Sequence, residues 1–310
     1  MPTLPRWFPG VETSSVATVS VPAWLTGLVD DAAIFPPGNV ALPEAVAEHA
    51  THRASEYADL VGGFVVSDVK LPDLIAILEG TRLDDALCVN VVVTGGAGAI
   101  EPAVRWATRT PLLRLGALEC ALRDEDDLAH NARRVCAALD ALEEDLADVT
   151  VYVEAPRVVD KPTHGWLTAL DELALRELPL KFRTGGVTAD AFPTPIELAS
   201  SIGAALDREL PFKCTAGLHH AMRLNDPDTG FAHHGFLNVL AATRVCLDGG
   251  DTTAALEEDD AKVLLDGLDP DTLARTRSWF TAFGSCSVLE PHDDLVDLGL
   301  ITPPETDLDQ

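Results

Sequence analysis

The chain has 310 residues, 47% of them hydrophobic, and a formal net charge of −28. A chain of this length and apolar content can bury a sizeable core, so the composition excludes an intrinsically disordered protein. It also disfavours nucleic acid as a partner, because the phosphate backbone would be repelled. No apolar run approaches the ~20 residues of a membrane-spanning helix.

The acidic composition, with 50 Asp and Glu against 22 Lys and Arg, suits a cytoplasm at molar salt, where the Debye length falls to ~3 Å. We therefore predict a halophilic source, with a merely acidic mesophilic protein as the alternative. The six cysteines form no Cys-x-x-Cys pair and the N-terminus lacks a secretory signal pattern. Reduced thiols and a cytoplasmic location are expected.

Residues 1–20 show no clear period and are predicted to form an N-terminal arm. After residue 20, short apolar runs flanked by Gly or Pro alternate with stretches of helical periodicity, which is typical of strands buried on both faces. The interval 236–283 before the last strand is longer and is predicted to hold two or three helices. The predicted strands are residues 27–35, 60–67, 87–94, 112–119, 149–155, 178–184, 210–216 and 284–290.

Eight strand–helix units over ~250 residues predict a single-domain α/β protein. We expect a closed (β/α)8 TIM barrel over residues 21–302, with 303–310 as a C-terminal tail. A doubly wound open sheet is the alternative, and it is expected to carry a phosphate-binding glycine fingerprint after the first strand. The sequence has "AAIFPPGN" at that point, so we favour the barrel.

Two of the chain's five lysines stand at matching places in the sixth and seventh predicted strands, Lys181 in "LPLKFRTGG" and Lys213 in "LPFKCTAGLHH". Active sites of TIM barrels form at the carboxyl ends of the strands, and adjacent strands lie ~4.8 Å apart, so the two amines are expected to be neighbours. With Arg183 nearby, like charges are predicted to depress the pKa of at least one lysine, which makes a nucleophile toward carbonyls. The alternative is a lysine that pairs with an acid or reaches the rim.

The two lysine motifs, "KFRTGG" and "KCTAGLHH", resemble those of class I aldolases of the deoxyribose-phosphate aldolase type. The resemblance implies a TIM barrel in which Lys181 forms a Schiff base and Lys213 is the second lysine of the site. Arg183 stands where that family has a small polar residue, the double histidine replaces its phosphate-loop motif, and we find no match for its catalytic aspartate. These two stretches and "HGFLN" also resemble prokaryotic proteins without a known activity.

Four of the nine histidines follow the seventh strand within sixteen residues: His219, His220, His233 and His234. One role is general acid or base in carbon–carbon cleavage, with His219 as the candidate. A second is hydrogen bonding that holds a long loop. Adjacent side chains on an extended backbone point in opposite directions, so His219 and His220 are expected to differ in role. The third role is binding of a divalent metal by two histidines, among His219, His220 and His233, together with Glu154 or Asp31.

Glu154 interrupts the apolar run "VTVYVEAP" and is predicted either to pair with Lys181 or to act as a base. Arg183 is expected to bind a carboxylate or phosphate. Glycines at strand ends either let backbone N–H groups approach an anion or only make tight turns. The other substrate-binding candidates are Asp31, Thr184, Gly185, Gly186, Thr215, Gly217 and His220.

We therefore expect a lyase that makes or breaks a carbon–carbon bond in a small anionic carbonyl substrate through a lysine imine. It would need no cofactor and no nucleic-acid or membrane partner, and a homo-oligomer is left open. Two alternatives stand beside it: a metal-dependent lyase or isomerase that uses the histidine cluster, and a non-catalytic binding protein on a barrel scaffold. The catalytic candidates are Lys181, Lys213, Glu154 and His219.

Overall fold

A computed structural model describes residues 21–81, 85–123, 126–227 and 229–302. The predicted arm at 1–20 and the predicted tail at 303–310 lie outside the described residues. The strands are Val29–Asp31 (β1), Val61–Ser67 (β2), Leu87–Val93 (β3), Leu113–Ala121 (β4), Thr150–Glu154 (β5), Leu180–Arg183 (β6), Phe212–Thr215 (β7), Leu224–Asn225 (β8), Ala232–His233 (β9) and Phe280–Ser285 (β10).

Helices follow the barrel strands, and the described residues include five short 3-10 segments between the longer elements. The α-helices are Leu42–Arg53 (α1), Leu71–Glu79 (α2), Ile100–Thr108 (α3), Leu128–Asp140 (α4), His164–Ala174 (α5), Pro195–Leu206 (α6), Phe236–Leu247 (α7), Thr252–Glu257 (α8), Ala261–Leu265 (α9), Pro270–Thr276 (α10) and Leu289–Asp297 (α11). The 3-10 segments are Ala23–Leu25, Ala58–Leu60, Asp68–Lys70, Ala97–Ala99 and Ala189–Ala191. None of the helices described is long and apolar enough to cross a membrane.

Strands β1 to β7 and β10 close into an eight-stranded barrel in the order β1-β10-β7-β6-β5-β4-β3-β2. Every neighbouring pair in this barrel is parallel, and β10 closes it by pairing with both β7 and β1. The predicted (β/α)8 TIM-barrel fold is therefore confirmed. All eight carboxyl ends meet at one mouth, which is where such barrels carry their sites.

The last barrel strand lies earlier in the chain than predicted, at Phe280–Ser285 instead of 284–290. Phe280 and Phe283 are fully buried and pair with Phe212 and Cys214 of β7, which fixes the strand there. Glu290, predicted near the end of that strand, lies in α11, where its backbone N–H donates to the hydroxyl of Ser287 at 3.2 Å. A hydroxyl that caps the first turn favours a helix start over a continuing strand.

The long interval between β7 and β10 holds four helices, α7 to α10, and begins with a small antiparallel hairpin of β8 and β9. The sequence indicated two or three helices and only a loop before them. Several of the helices start on a side chain that accepts a backbone N–H, and such a cap stabilises a helix start by about 1 kcal/mol. Such caps are Asp127, Thr163, Thr194, Asp251, Asp260 and Asp269.

The apolar core lies between the barrel and its helices, where large side chains such as Phe64, Phe236 and Phe283 are fully buried. The rings of Phe236 and Phe283 stack with their centroids 4.9 Å apart, which joins α7 to β10. Polar side chains that face into the barrel are the exception to this apolar interior. They include Asp30, Asn90, Glu119, Lys181 and Lys213, all nine-tenths or more buried.

Candidate active site

A cavity of about 310 Å³ opens at the carboxyl end of the barrel, within the ~300–1,000 Å³ range of small-molecule sites. One wall is apolar, with Ala32, Phe35, Val65 and Val92, and the opposite wall is charged. A larger groove of about 980 Å³ lies at the amino end of the barrel. We place the site at the carboxyl end because buried titratable groups converge there. The charged lining residues are Glu119, Glu154, Lys181, Arg183 and Lys213.

Lys181 and Lys213 lie side by side on β6 and β7, where they are paired in register. Glu154 is in turn the register partner of Lys181 on β5. The period of two along a strand turns Arg183 and Thr215 to the same face as the lysines, and both also line the cavity. The two lysines are buried, whereas the side chain of Arg183 is 46% exposed.

Six charged side chains form a continuous network along this wall. Lys213 Nζ contacts the Asp30 carboxylate and lies 2.7 Å from Glu119 Oε1. Lys181 Nζ lies 2.7 Å from Glu119 Oε2 and 3.0 Å from Glu154 Oε2. Glu154 Oε1 accepts a hydrogen bond from Arg183 Nε at 3.1 Å. This charge network alternates three acids with three bases, so its formal charges cancel.

The predicted depression of a lysine pKa is wrong. Burial alone would lower the pKa of Lys213, but the carboxylates of Asp30 and Glu119 outweigh it and raise that pKa. Burial is likewise overcome at Lys181, whose pKa is raised by Glu119 and Glu154. Glu119 shows the reciprocal effect, because the two ammonium groups outweigh its burial and hold its pKa at about 2. Both lysines are therefore ammonium groups at neutral pH.

Asp31, expected to contact substrate, faces the helical shell instead. Its Oδ2 lies 2.9 Å from Nδ1 of His49 on α1, and its Oδ1 accepts the backbone N–H of Ala33 at 3.2 Å. The neighbouring Asp30 points the other way, where it contacts Lys213 and accepts the N–H of Gly63 at 2.9 Å. Adjacent residues on a strand face opposite sides, so only one of the two aspartates can reach the site.

His219 lines the cavity from the loop after β7. Its Nδ1 lies 2.9 Å from Glu290 Oε2, and both ring nitrogens lie 3.8 Å from the thiol sulfur of Cys286. Burial opposes the charge, but the contacts with Cys286 and Glu290 prevail and raise the pKa of His219 to about 9. A cationic imidazole at neutral pH donates a proton and does not accept one.

The other histidines lie apart from the cavity. His220 Nδ1 is 3.1 Å from Asp294 Oδ2, and His233 stacks on Phe192 with the ring centroids 4.5 Å apart. His234 is buried, with Nε2 2.8 Å from the carbonyl oxygen of Pro193. In the parts of the chain that the structure describes, no three His, Cys, Asp or Glu side chains are grouped to hold a metal ion. The metal-dependent alternative stays a prediction.

The glycines after β6 and β7 allow two loops to approach each other. A Cβ on Gly217 would lie 2.9 Å from the Cα of Gly185, and Gly217 has a φ of +78°. The Thr184 hydroxyl donates to the carbonyl oxygen of Ala216 at 2.5 Å, which ties the same loops together. Thr184, Gly185 and Gly217 therefore make the tight contact between the two loops, which is the alternative to binding an anion. Gly186, in contrast, lines the cavity.

Two residues of the charge network, Asp30 and Glu119, were not among the predicted site residues, and neither was the cavity-lining Cys286. Glu119 bridges both lysines and is only 2% exposed. The signal was a carboxylate at the end of an apolar run, "LLRLGALE", the same kind of signal that singled out Glu154.

A scan against protein-family models finds no match to the chain. A search of curated proteins likewise finds no significant match. We therefore infer function from the geometry and electrostatics of the cavity.

Proposed function

We propose that this protein is a lyase that forms an imine between Lys181 and a small anionic carbonyl compound and makes or breaks the adjacent carbon–carbon bond. The observation that most supports the proposal is the position of Lys181 Nζ in the cavity wall, 2.7 Å from Glu119 and 3.0 Å from Glu154. An amine so placed can pass its proton to a carboxylate without bulk water. The TIM barrel is compatible with this chemistry but hosts many others.

Lys181 is a better nucleophile candidate than Lys213. Lys213 is 1% exposed and is held by Asp30, by Glu119 and by the ring of Tyr152, whose centroid lies 5.2 Å from Nζ. Such a cage keeps an ammonium group charged. Lys213 then serves as a fixed positive charge that stabilises the oxygen anion developing on the substrate.

The proposed reaction starts with transfer of a proton from the Lys181 ammonium to Glu154. The neutral amine attacks the carbonyl carbon, the carbonyl oxygen takes a proton from the Glu154 carboxyl, and loss of water leaves a protonated imine. That cation draws the electron pair of the neighbouring carbon–carbon bond as it breaks, while the hydroxyl on the departing carbon gives its proton to the Glu154 carboxylate and that carbon leaves as an aldehyde or ketone. His219, cationic at neutral pH, is the donor that returns a proton to the resulting enamine carbon.

Reductive trapping tests the proposal. We expect borohydride, added with a panel of 2-oxo acids, aldehydes and ketones, to leave a covalent adduct on Lys181, located by peptide mass spectrometry. Lys181→Met should lose the adduct, and Lys161→Met, at an exposed lysine, should keep it. Trapping should survive dialysis against a chelator. Absence of an adduct on both Lys181 and Lys213 across the panel would contradict the proposed imine.

A further inference from the structure

We infer that the substrate of Lys181 is a 2-oxo acid whose carboxylate replaces Glu154 on Arg183 and thereby frees Glu154 to accept the lysine proton. This inference rests on the proposed function, since it takes Lys181 as the residue that forms the imine. It names the substrate class and explains how a lysine that the network holds as an ammonium group becomes a nucleophile.

Glu154 is shared between two cations. Its Oε2 lies 3.0 Å from Lys181 Nζ and its Oε1 lies 3.1 Å from Arg183 Nε. A carboxylate that is ion-paired on both oxygens is a poor proton acceptor, because protonation would break two charged contacts. In the resting site the Lys181 proton therefore has nowhere to go, and the amine cannot attack.

Arg183 is the member of the charge network that an incoming anion can reach. Its side chain is 46% exposed and lines the cavity. Its hydrogen bond to Glu154 is made by Nε, and Nη1 and Nη2 make no hydrogen bond with any described residue. A guanidinium with a free edge binds a carboxylate through two parallel hydrogen bonds, which are stronger than the single contact with Glu154.

The spacing of the two cations selects the position of the anionic group. Lys181 Nζ and Arg183 Nε both contact the carboxylate of one residue, Glu154. A carboxylate that binds Arg183 in its place must lie next to the carbon that bonds to Lys181 Nζ. Adjacent carbonyl and carboxylate groups define a 2-oxo acid. An anionic group several bonds away, as in a sugar phosphate, would not bridge the same two cations.

The charge balance makes this a switch. The six charges of the network cancel, and a substrate carboxylate adds one negative charge beside Glu154. Transfer of the Lys181 proton to the displaced Glu154 then removes one buried ion pair without a proton leaving the site. A neutral carbonyl compound cannot displace Glu154, so the amine stays protonated. The apolar wall of Phe35, Val65 and Val92 is left to contact the rest of the carbon chain.

The test compares pyruvate with its neutral methyl ester in borohydride trapping. The ester is the more electrophilic carbonyl, yet we expect pyruvate to label Lys181 about tenfold faster or more, as one charged hydrogen-bonded contact implies. Arg183→Met should abolish that preference. Arg176→Met should keep it, because Arg176 makes a similar ion pair with Asp140 on the outer shell. Thermal unfolding of both variants checks that each is folded.

Glu154→Gln gives a second readout that a merely structural role would not move. Without the competing carboxylate, Arg183 should bind pyruvate more tightly in calorimetry, while labelling of Lys181 falls because the proton acceptor is gone. Equal labelling by the two probes, insensitive to Arg183→Met, would overturn the inference and leave the imine proposal standing. Absence of any adduct with either probe or with the wider carbonyl panel would overturn both.

Discussion

At the scale of single residues, Glu119 holds the site together. Its two carboxylate oxygens each lie 2.7 Å from the Nζ atom of one of the two lysines, and its side chain is 2% exposed. Burying ions costs several kcal/mol each, and the cost is offset only when each ion has close partners of opposite charge. Lys181 and Lys213 would repel each other across the β6–β7 pair without this bridge. Glu119 therefore fixes where both amines lie.

Glu119→Gln should lower the free energy of unfolding by roughly 3–5 kcal/mol, because it leaves two buried ammonium groups short of a carboxylate. Urea unfolding at neutral pH measures the loss. Glu144→Gln, at an exposed position after α4, should stay within about 0.5 kcal/mol of the parent. Since the pKa of Glu119 is held at about 2, its contribution is present above the unfolded pKa and is lost as pH falls toward 2. Equal stability of the two variants would argue against the bridge.

His219 gives a pH dependence of opposite sign. Its pKa of about 9 lies above the ordinary histidine value of about 6.5 because contacts with Cys286 and Glu290 overcome burial. A raised histidine pKa stabilises the fold fully below the unfolded pKa, and we expect this contribution to disappear as pH rises from about 6.5 to about 9. Titration by NMR should show the His219 pKa fall in Glu290→Gln and stay in place in Glu144→Gln. An unchanged pKa in Glu290→Gln would mean that the contact is not an ion pair.

Strand periodicity alone put Lys181, Lys213, Arg183 and Thr215 on one face, and the structure brings them into one cavity. Periodicity could not show whether Asp30 or Asp31 points into the barrel, because all three residues of β1 are buried. Which face of β1 points inward depends on the strands and helices packed around it. The catalytic and binding roles assigned to these residues stay predictions.

Glu119 was harder to find for a different reason. The register between β3 and β4 shifts beside Gly116, where Val89 pairs with Leu115 but Asn90 pairs with Ala117. A bulge of this kind reverses which residues face inward. Strict alternation from Leu115 would therefore turn Glu119 toward the helices, whereas in the structure it lines the cavity.

At the scale of elements, the ends of β6 and β7 are joined as one unit. The backbone N–H of Thr184 donates to the carbonyl oxygen of Thr215 at 2.9 Å, and the Thr184 hydroxyl binds the carbonyl oxygen of Ala216. Gly185 and Gly217 let the following loops touch. This unit fixes the direction in which Arg183 and Thr215 enter the cavity.

Gly217→Ala should destabilise the protein by roughly 1–3 kcal/mol, more than Gly267→Ala. Both glycines have positive φ, +78° and +74°, so both substitutions carry left-handed backbone strain. Only at Gly217 would the new Cβ also lie 2.9 Å from Gly185 Cα, since Gly267 has open space around it. Comparing the urea unfolding of the two variants separates the steric contact from the backbone strain that both share. Equal losses would show that the loop approach is not under steric constraint.

The order of the elements could be predicted from the sequence because each barrel strand is a short apolar run. Where a strand begins and ends depends, however, on the elements that pack against it. Phe280 and Phe283 place the last strand by packing on β7 and α7, a choice that the run 284–290 alone does not reveal. The β8–β9 hairpin is two residues per strand, too short to leave a periodic signal.

At the scale of the whole molecule, a charge-balanced network lies inside a chain of net charge −28. An anionic substrate is repelled at long range and attracted only close to Arg183. The Debye length falls from about 10 Å at 0.1 M salt to about 3 Å at 1 M, so salt screens exposed charges strongly but buried pairs much less. High salt should therefore weaken the repulsion between surface acids while leaving the network intact. Ionic strength should then change the stability of the protein without disrupting the site.

We accordingly expect the melting temperature to rise by at least about 5 °C between roughly 0.1 M and 2 M potassium chloride, as the self-repulsion of the surface acids is screened. A triple variant, Glu143→Lys, Glu144→Lys and Asp145→Lys, replaces three exposed acids after α4 and changes the net charge from −28 to −22, two charges per site. Its melting temperature should rise less with salt. Salt also strengthens apolar burial, but it does so equally in the parent and the triple variant. Identical salt-dependent shifts in melting temperature would therefore mean that surface repulsion does not limit stability.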